Sequence, residues 1–207
     1  MKLYYMPGAC SLASHIVLRE VGETFEIEKV DTAAGRTEGG ADYARINPKG
    51  YVPALGLDDG EVLTEGAAIL QYIADRHPEV GLVPPPGTLA RTRVQEHLNF
   101  VAAELHKAFG PFFAAEPPAG AARVAADANV ARRMDHIESV LSDGRTYLLG
   151  DAFTVADAYL FVVAGWAEPL GVGLDRWPHV AAFVARVADR PAARAAMQAE
   201  GLLGKAA

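Results

Sequence analysis

The sequence predicts a small α/β domain followed by an all-helical domain, and three observations point there. Residues 1 to about 76 alternate short strand signals with helical ones, as a compact α/β layer does. The composition turns to a proline- and glycine-rich linker at Pro84 to Gly87. Beyond Leu89 strand alternation stops and apolar residues recur at helical spacing. The predicted domains are therefore 1–80 and 88–207.

Lys2 to Tyr5 read as the first strand, broken at Pro7 and Gly8, with a helix starting near Ser11. Leu12, His15, Ile16, Arg19 and Glu20 mix apolar and polar faces, the pattern of a surface helix. A second strand covers Phe25 to Val30, and Asp31 to Asp42 read as a polar turn. Pro53 to Leu57 and Glu61 to Leu63 form a hairpin across Asp58, Asp59 and Gly60. Thr64 is placed to cap a helix with the apolar stripe Ala68, Ile69, Tyr72 and Ile73, which ends before Pro78.

The first helix of the second half carries Val94, Leu98, Val101, Leu105, Phe109 and Phe112 on one face and Gln95, Asn99 and His106 on another. A polar row beside an apolar stripe predicts a helix lining a cleft. An alanine-rich helix follows over Ala121 to Leu141 and stops before Gly144. Thr154 with Asp157 three residues on is an aspartate variant of the capping box, opening an apolar core helix. Pro178 and Pro191 open the last two helices, and a glycine- and alanine-rich tail closes the chain.

With 207 residues and 51% hydrophobic composition the chain can bury one large core or two modest ones. Its 26 acidic and 19 basic side chains leave a net charge of −7, with no Lys/Arg block to track phosphates, which argues against nucleic acid. A single cysteine cannot form an intrachain disulfide, and no Cys/His cluster has zinc-site spacing, so no metal is expected and a reducing, cytoplasmic compartment fits best. A leader segment and a membrane span are both disfavoured, since no apolar stretch approaches the roughly 18 residues a span requires.

Cys10 falls at a strand break just before a helix, where backbone N–H groups favour a thiolate; the alternative is a buried structural cysteine. In NPKGYVPAL, Asn47, Pro48 and Gly50 make a turn before Val52 and Pro53, and Pro53 is either an edge-strand proline or the second residue of a cis peptide. Glu65 and Gly66 at a helix start offer a carboxylate for a ligand amine and an N–H for a ligand carboxylate, or simply the usual first-turn acid. His106, the one imidazole on the polar row, is either a solvent residue or a donor or base near a thiol. The remaining histidines, His15, His77, His97, His136 and His179, share no motif and read as surface residues. Tyr5 either offers its hydroxyl beside Cys10 or packs at a strand end. Trp166 and Phe109 belong to the core or to an apolar cleft wall.

Taken together, YYMPGACSLASHIVLRE, NPKGYVPAL, LTEGAAILQYIAD, LNFVAAELHKAFGPFF and FTVADAYLFVVAGW resemble the bacterial beta-class glutathione transferases in order and over nearly the whole chain. The resemblance implies a thioredoxin-like N-terminal domain, an all-helical C-terminal domain and a homodimer. It also implies glutathione bound near the domain junction and a cis bond before Pro53. The implied reaction conjugates reduced glutathione, a co-substrate rather than a tightly bound cofactor, to small hydrophobic electrophiles. Thiol–disulfide exchange through a Cys10 mixed disulfide, or non-catalytic carriage of glutathione or a hydrophobic ligand, are the alternatives.

Carried over by position, the resemblance puts Cys10 beside the glutathione sulfur with Tyr5, Ser11 and His106 as neighbours. Val52 and Pro53 meet the cysteinyl part, and Glu65 and Gly66 the γ-glutamyl end. Asn99, His106 and Lys107 fall at family positions around glutathione, and Glu104 at a position that reaches the partner subunit's site. Family members commonly carry lysine where this chain has Gly35, which removes a cation for the glycyl carboxylate. Arg36 stands next in line to compensate.

Overall fold

The computed structural model describes residues 1–203; the last four residues of the expected tail lie outside them. The chain forms two compact units, Met1–Val83 with the return from Asp189, and Pro84–Ala188.

In the first unit, β1 (Lys2–Tyr5) pairs in parallel with β2 (Glu26–Asp31) and antiparallel with β4 (Ala54–Gly56). β4 pairs antiparallel with β5 (Val62–Thr64), and β3 (Arg36–Thr37) with β2, giving the sheet order β3-β2-β1-β4-β5. This mixed sheet is the thioredoxin-like layer. The β4–β5 turn places Gly60 at φ +91°, a conformation glycine adopts without the Cβ clash. The peptide between Val52 and Pro53 is cis.

Helix α1 (Ser11–Glu20) differs from the surface helix its sequence suggests, because Ser11 through Leu18 are all buried. The reason is tertiary: α2 (Gly66–Arg76), β1 and the last helix, α8 (Pro191–Ala199), all pack against it. α8, which the sequence boundary of 88–207 assigns to the helical half, thereby falls in the first compact unit. β3 lies inside the stretch read as a polar turn, and Thr64 ends β5 instead of capping α2, whose N-cap position belongs to Glu65.

The second unit is helical, with α3 (Leu89–Phe100), α4 (His106–Phe109), α5 (Gly120–Leu141), α6 (Val155–Gly165) and α7 (Pro178–Ala188). A π-helical turn, Val101–Leu105, joins α3 to α4, so the long helix expected from spacing is continuous in direction but locally widened. Every residue of α6 from Val155 to Ala164 is buried, which makes it the core helix. Its start is fixed by Asp157, whose Oδ2 accepts from the Thr154 N–H at 2.8 Å and the Thr154 hydroxyl at 2.7 Å, and whose Oδ1 accepts from the Leu148 N–H at 2.8 Å. Burial pushes this carboxyl up to about 6, against the pull of those donors. Among the described residues no helix is long and apolar enough to cross a membrane, and no cluster of three or more His, Cys, Asp or Glu could hold a metal.

Candidate functional site

β1 delivers the chain to a tight turn that ends on Cys10. The Ala9 N–H donates to the Met6 carbonyl at 3.0 Å, and the Ser11 hydroxyl both accepts from the Met6 N–H and donates to the Met6 carbonyl, each at 3.3 Å. Ser11 is fully buried, so its hydroxyl closes the turn. Cys10 occupies the N-cap position of α1 and is half-buried. Its thiol donates to the Val52 carbonyl at 3.3 Å, which joins two of the residues singled out by the sequence. Tyr5, at the end of β1, is buried to 8% exposure; burial, and then the charges of Glu200 and Glu38, raise its phenol above the ordinary value.

The Val52 loop is held from beneath. Asn47 is fully buried; its amide donates to the Tyr51 carbonyl at 2.6 Å and its Oδ1 accepts from the Lys49 N–H at 3.1 Å. The Tyr43 hydroxyl donates to the same Tyr51 carbonyl at 3.0 Å, and burial pushes that phenol up to about 12. The loop therefore enters β4 with its backbone polar groups anchored, and Val52 and Pro53 are buried.

Glu65 stands between β5 and α2 with φ +71°, the sole non-glycine residue at positive φ among the described residues. Such a conformation costs on the order of 1–3 kcal/mol in a β-unbranched residue and collects at ligand sites. Its carboxylate accepts from the Tyr51 hydroxyl at 2.7 Å and pairs with the Lys49 ammonium, which also donates to Thr64 Oγ1 at 3.0 Å. Both Lys49 and Tyr51 titrate above their ordinary values, the hydrogen bond to Glu65 being the main cause. Gly66 follows as the first residue of α2, and a Cβ there would approach Pro53 Cγ to 3.8 Å, an ordinary contact.

A second network supports the Cys10 turn from the α8 side. Glu200 accepts from the Gly8 N–H at 3.0 Å through Oε2, while its Oε1 lies 2.9 Å from His15 Nδ1. Arg19 Nε donates to His15 Nε2 at 3.1 Å. His15, expected at the surface, is fully buried because α8 covers α1.

In the helical unit His106 is half-buried, with Nδ1 2.9 Å from the Tyr159 hydroxyl and its ring 4.8 Å from that of Trp166 in an edge-on arrangement. Burial, then the nearby Lys107 charge, push the imidazole down to about 4. Near neutral pH it is therefore an uncharged donor and acceptor. Phe109 and Phe113 meet the same Trp166 ring edge-on at 5.9 and 5.0 Å. Phe109 and Trp166 are buried and Phe113 is 54% exposed, so this aromatic cluster is core at one end and surface at the other.

The other expected residues sit on the surface. Asn99 is exposed and donates to the Gln95 carbonyl at 2.9 Å, and Lys107 is exposed. Glu104 accepts from Arg133 at 2.8 Å within its own unit. Arg36, exposed in β3, donates to the Gly40 carbonyl at 3.1 Å. Sequence reasoning missed Lys49, Tyr51 and Tyr43, and read Asn47 only as a turn residue. The available signal was a lysine and a tyrosine flanking the glycine of the turn that precedes Val52, upstream of an acid at a helix start.

Within the first unit these residues form a thiol at a helix start, a loop carbonyl beside it, and a carboxylate at a second helix start. That donor set suits a peptide with a thiol and a free amino-acid end. Two family profiles match the chain: "Glutathione S-transferase, N-terminal domain" over residues 1–75 and "Glutathione S-transferase, C-terminal domain" over residues 100–191. The chain is 46% identical over 202 residues to the glutathione S-transferase GstA of Escherichia coli O157:H7, covering 98% of this chain and all of the relative. A sphingomonad glutathione S-transferase solved in complex with glutathione matches at 47% identity and a TM-score of 0.92, covering 98% of this chain and 100% of that one. The bacterial beta-class enzyme of Sphingomonas chungbukensis matches at 45% identity and a TM-score of 0.93, with the same coverage.

Proposed function

Because this chain belongs to the glutathione S-transferase family, and within it to the bacterial beta class, we propose that its first compact unit binds reduced glutathione through Cys10, Val52, Pro53, Glu65 and Gly66. The enzyme's reaction is glutathione transfer. The observation that carries the site assignment is the Cys10 thiol on the Val52 carbonyl. That contact sets a sulfur-bearing helix start against the loop whose backbone would pair with a cysteinyl residue. Glu65 would then take the γ-glutamyl amine and the Gly66 N–H its carboxylate.

In this reading the bound tripeptide's sulfur is held as a thiolate near the α1 N-terminus, where backbone N–H groups stabilise negative charge. It attacks an electrophilic carbon, a C–S bond forms, and the leaving group departs with its electron pair. Fixing both ends of the peptide makes the attack effectively unimolecular. Asn99, His106 and Lys107 of the helical unit are assigned to the same ligand by family position, as is Arg36 to the glycyl carboxylate. Within the helical unit His106 is held by Tyr159 and is uncharged near neutral pH, so the role its family position implies is that of a neutral hydrogen-bonding group. Ser11 acts by closing the turn, and Tyr5 is buried with its ring 6.3 Å from that of His15. The aromatic cluster around Trp166 suits a small hydrophobic electrophile.

A second reading is favoured by Cys10 itself. Its thiolate attacks oxidised glutathione, forms a mixed disulfide and releases one glutathione thiolate; external glutathione then resolves it, since the chain has no second cysteine. The protein is proposed to work in a reducing cytoplasm as a closed homodimer, with Glu104 directed toward the partner's site. Conjugation assays over an electrophile panel, run beside a disulfide-exchange assay on wild type and Cys10→Ala, test the two chemistries. Glutathione-dependent conjugation by both proteins supports the first reading, and failure of every electrophile to react above the uncatalysed rate would overturn it.

A further inference from the structure

We propose that Lys49 is a specificity-determining residue for the amino-acid end of the ligand: it pairs with Glu65 and exchanges that partner for the ligand's α-carboxylate on binding. The inference rests on the assignment of the γ-glutamyl end to Glu65 and Gly66.

Three observations carry it. The Lys49 ammonium is held by two consecutive residues, Thr64 through its hydroxyl and Glu65 through its carboxylate, immediately before the first residue of α2. A cation there is mismatched to its surroundings, because a helix N-terminus carries partial positive charge and favours an anion. Glu65 and Thr64 hold it despite that field. Lys49 is moreover half-exposed on a flexible four-carbon stem, whereas its backbone is fixed through its N–H on the buried Asn47. The head group can therefore move while the base stays in place.

The Lys49–Glu65 pair is an internal counterpart of an amino acid's own zwitterion. An arriving α-ammonium takes the Glu65 carboxylate, and the adjoining α-carboxylate takes both the Gly66 N–H and the released Lys49. One ion pair becomes two, and the helix start gains the anion it favours. Tyr51 stays on Glu65 through its hydroxyl, so the carboxylate keeps its orientation during the exchange. A ligand lacking the α-carboxylate leaves Lys49 without a new partner, and its ammonium competes with Lys49 for Glu65.

Calorimetric titration of the full-length protein with glutathione, and with its analogue lacking only the γ-glutamyl α-carboxylate, tests the exchange. Lys49→Met should weaken glutathione by roughly fivefold, as loss of a half-exposed charge pair does, and leave the analogue unchanged or bound more tightly. Lys49→Arg should restore most of the glutathione affinity. Unchanged or tighter glutathione binding by Lys49→Met, or an equal loss for both ligands, would overturn the proposal. Glu65→Gln serves as the separate check on the underlying assignment. If it leaves glutathione binding intact, the γ-glutamyl placement itself fails; if it weakens binding while Lys49→Met does not, only the exchange fails.

Discussion

Glu200 and His15, 185 positions apart in sequence, face each other across 2.9 Å with both side chains fully buried. The same carboxylate holds the Gly8 N–H, so one acidic residue at the end of α8 fixes both the turn that presents Cys10 and the helix that follows it. Removing it takes from a buried imidazole and a backbone N–H the carboxylate they share. We expect Glu200→Ala to destabilise the protein by about 3 kcal/mol, the usual consequence of breaking a buried pair. Urea unfolding of the two proteins measures this directly, and a loss under about 1 kcal/mol would show that water replaces the carboxylate.

Asp157 performs the same service in the helical unit, where three donors converge on it. Asp157→Ala should cost about 2–3 kcal/mol through the lost cap and two unsatisfied N–H groups. Thermal melts of wild type and variant check the prediction. An unchanged midpoint would mean that the packing of α6 alone fixes its start.

His106 sets a pH dependence whose sign follows from its burial. Its folded value lies near 4 against an ordinary 6.5, so between those limits the unfolded chain binds more protons and acidification favours unfolding. The contribution is fully present above about pH 6.5 and is lost as pH falls toward 4, amounting to about 3 kcal/mol. His106→Asn cannot titrate. The stability difference between wild type and this variant should therefore shift against wild type from pH 7 to pH 4.5; a constant difference would contradict the burial argument.

How much of this was legible in the sequence depends on whether the cause was local. β1, the β4–β5 hairpin and the start of α6 were readable because alternation, an Asp-Gly turn and a Thr-x-x-Asp box act over a few residues. β3 was not, since two residues carry no periodicity. α1 looked like a surface helix because the covering element, α8, arrives about 170 positions later, and His15 was misjudged for the same reason. Cys10, Val52, Glu65 and Gly66 stand out in the sequence by their places at turns and helix starts. Lys49 and Tyr51 escaped because what marks them is a carboxylate 14 to 16 positions downstream, brought back by the β4–β5 hairpin.

Cys10→Ala should separate the two proposed chemistries. Mixed-disulfide formation and thiol exchange should vanish, since no other thiol exists in the chain. Conjugation should persist, because glutathione supplies its own nucleophile. Intact-mass measurement after incubation with oxidised glutathione, paired with conjugation rates, reads both outcomes. Equal exchange rates in the two proteins would remove Cys10 from the redox reaction.

In the proposed site the first compact unit anchors glutathione by its γ-glutamyl end at Glu65. Calorimetric titration of wild type and Glu65→Ala with glutathione tests it most directly. The Glu65 side chain is exposed, so the variant should fold with an unchanged far-ultraviolet spectrum. A charge-assisted hydrogen bond to the ligand amine is worth about 1.5–3 kcal/mol, which predicts affinity weaker by about one to two powers of ten. Unchanged affinity in a folded variant would contradict the account.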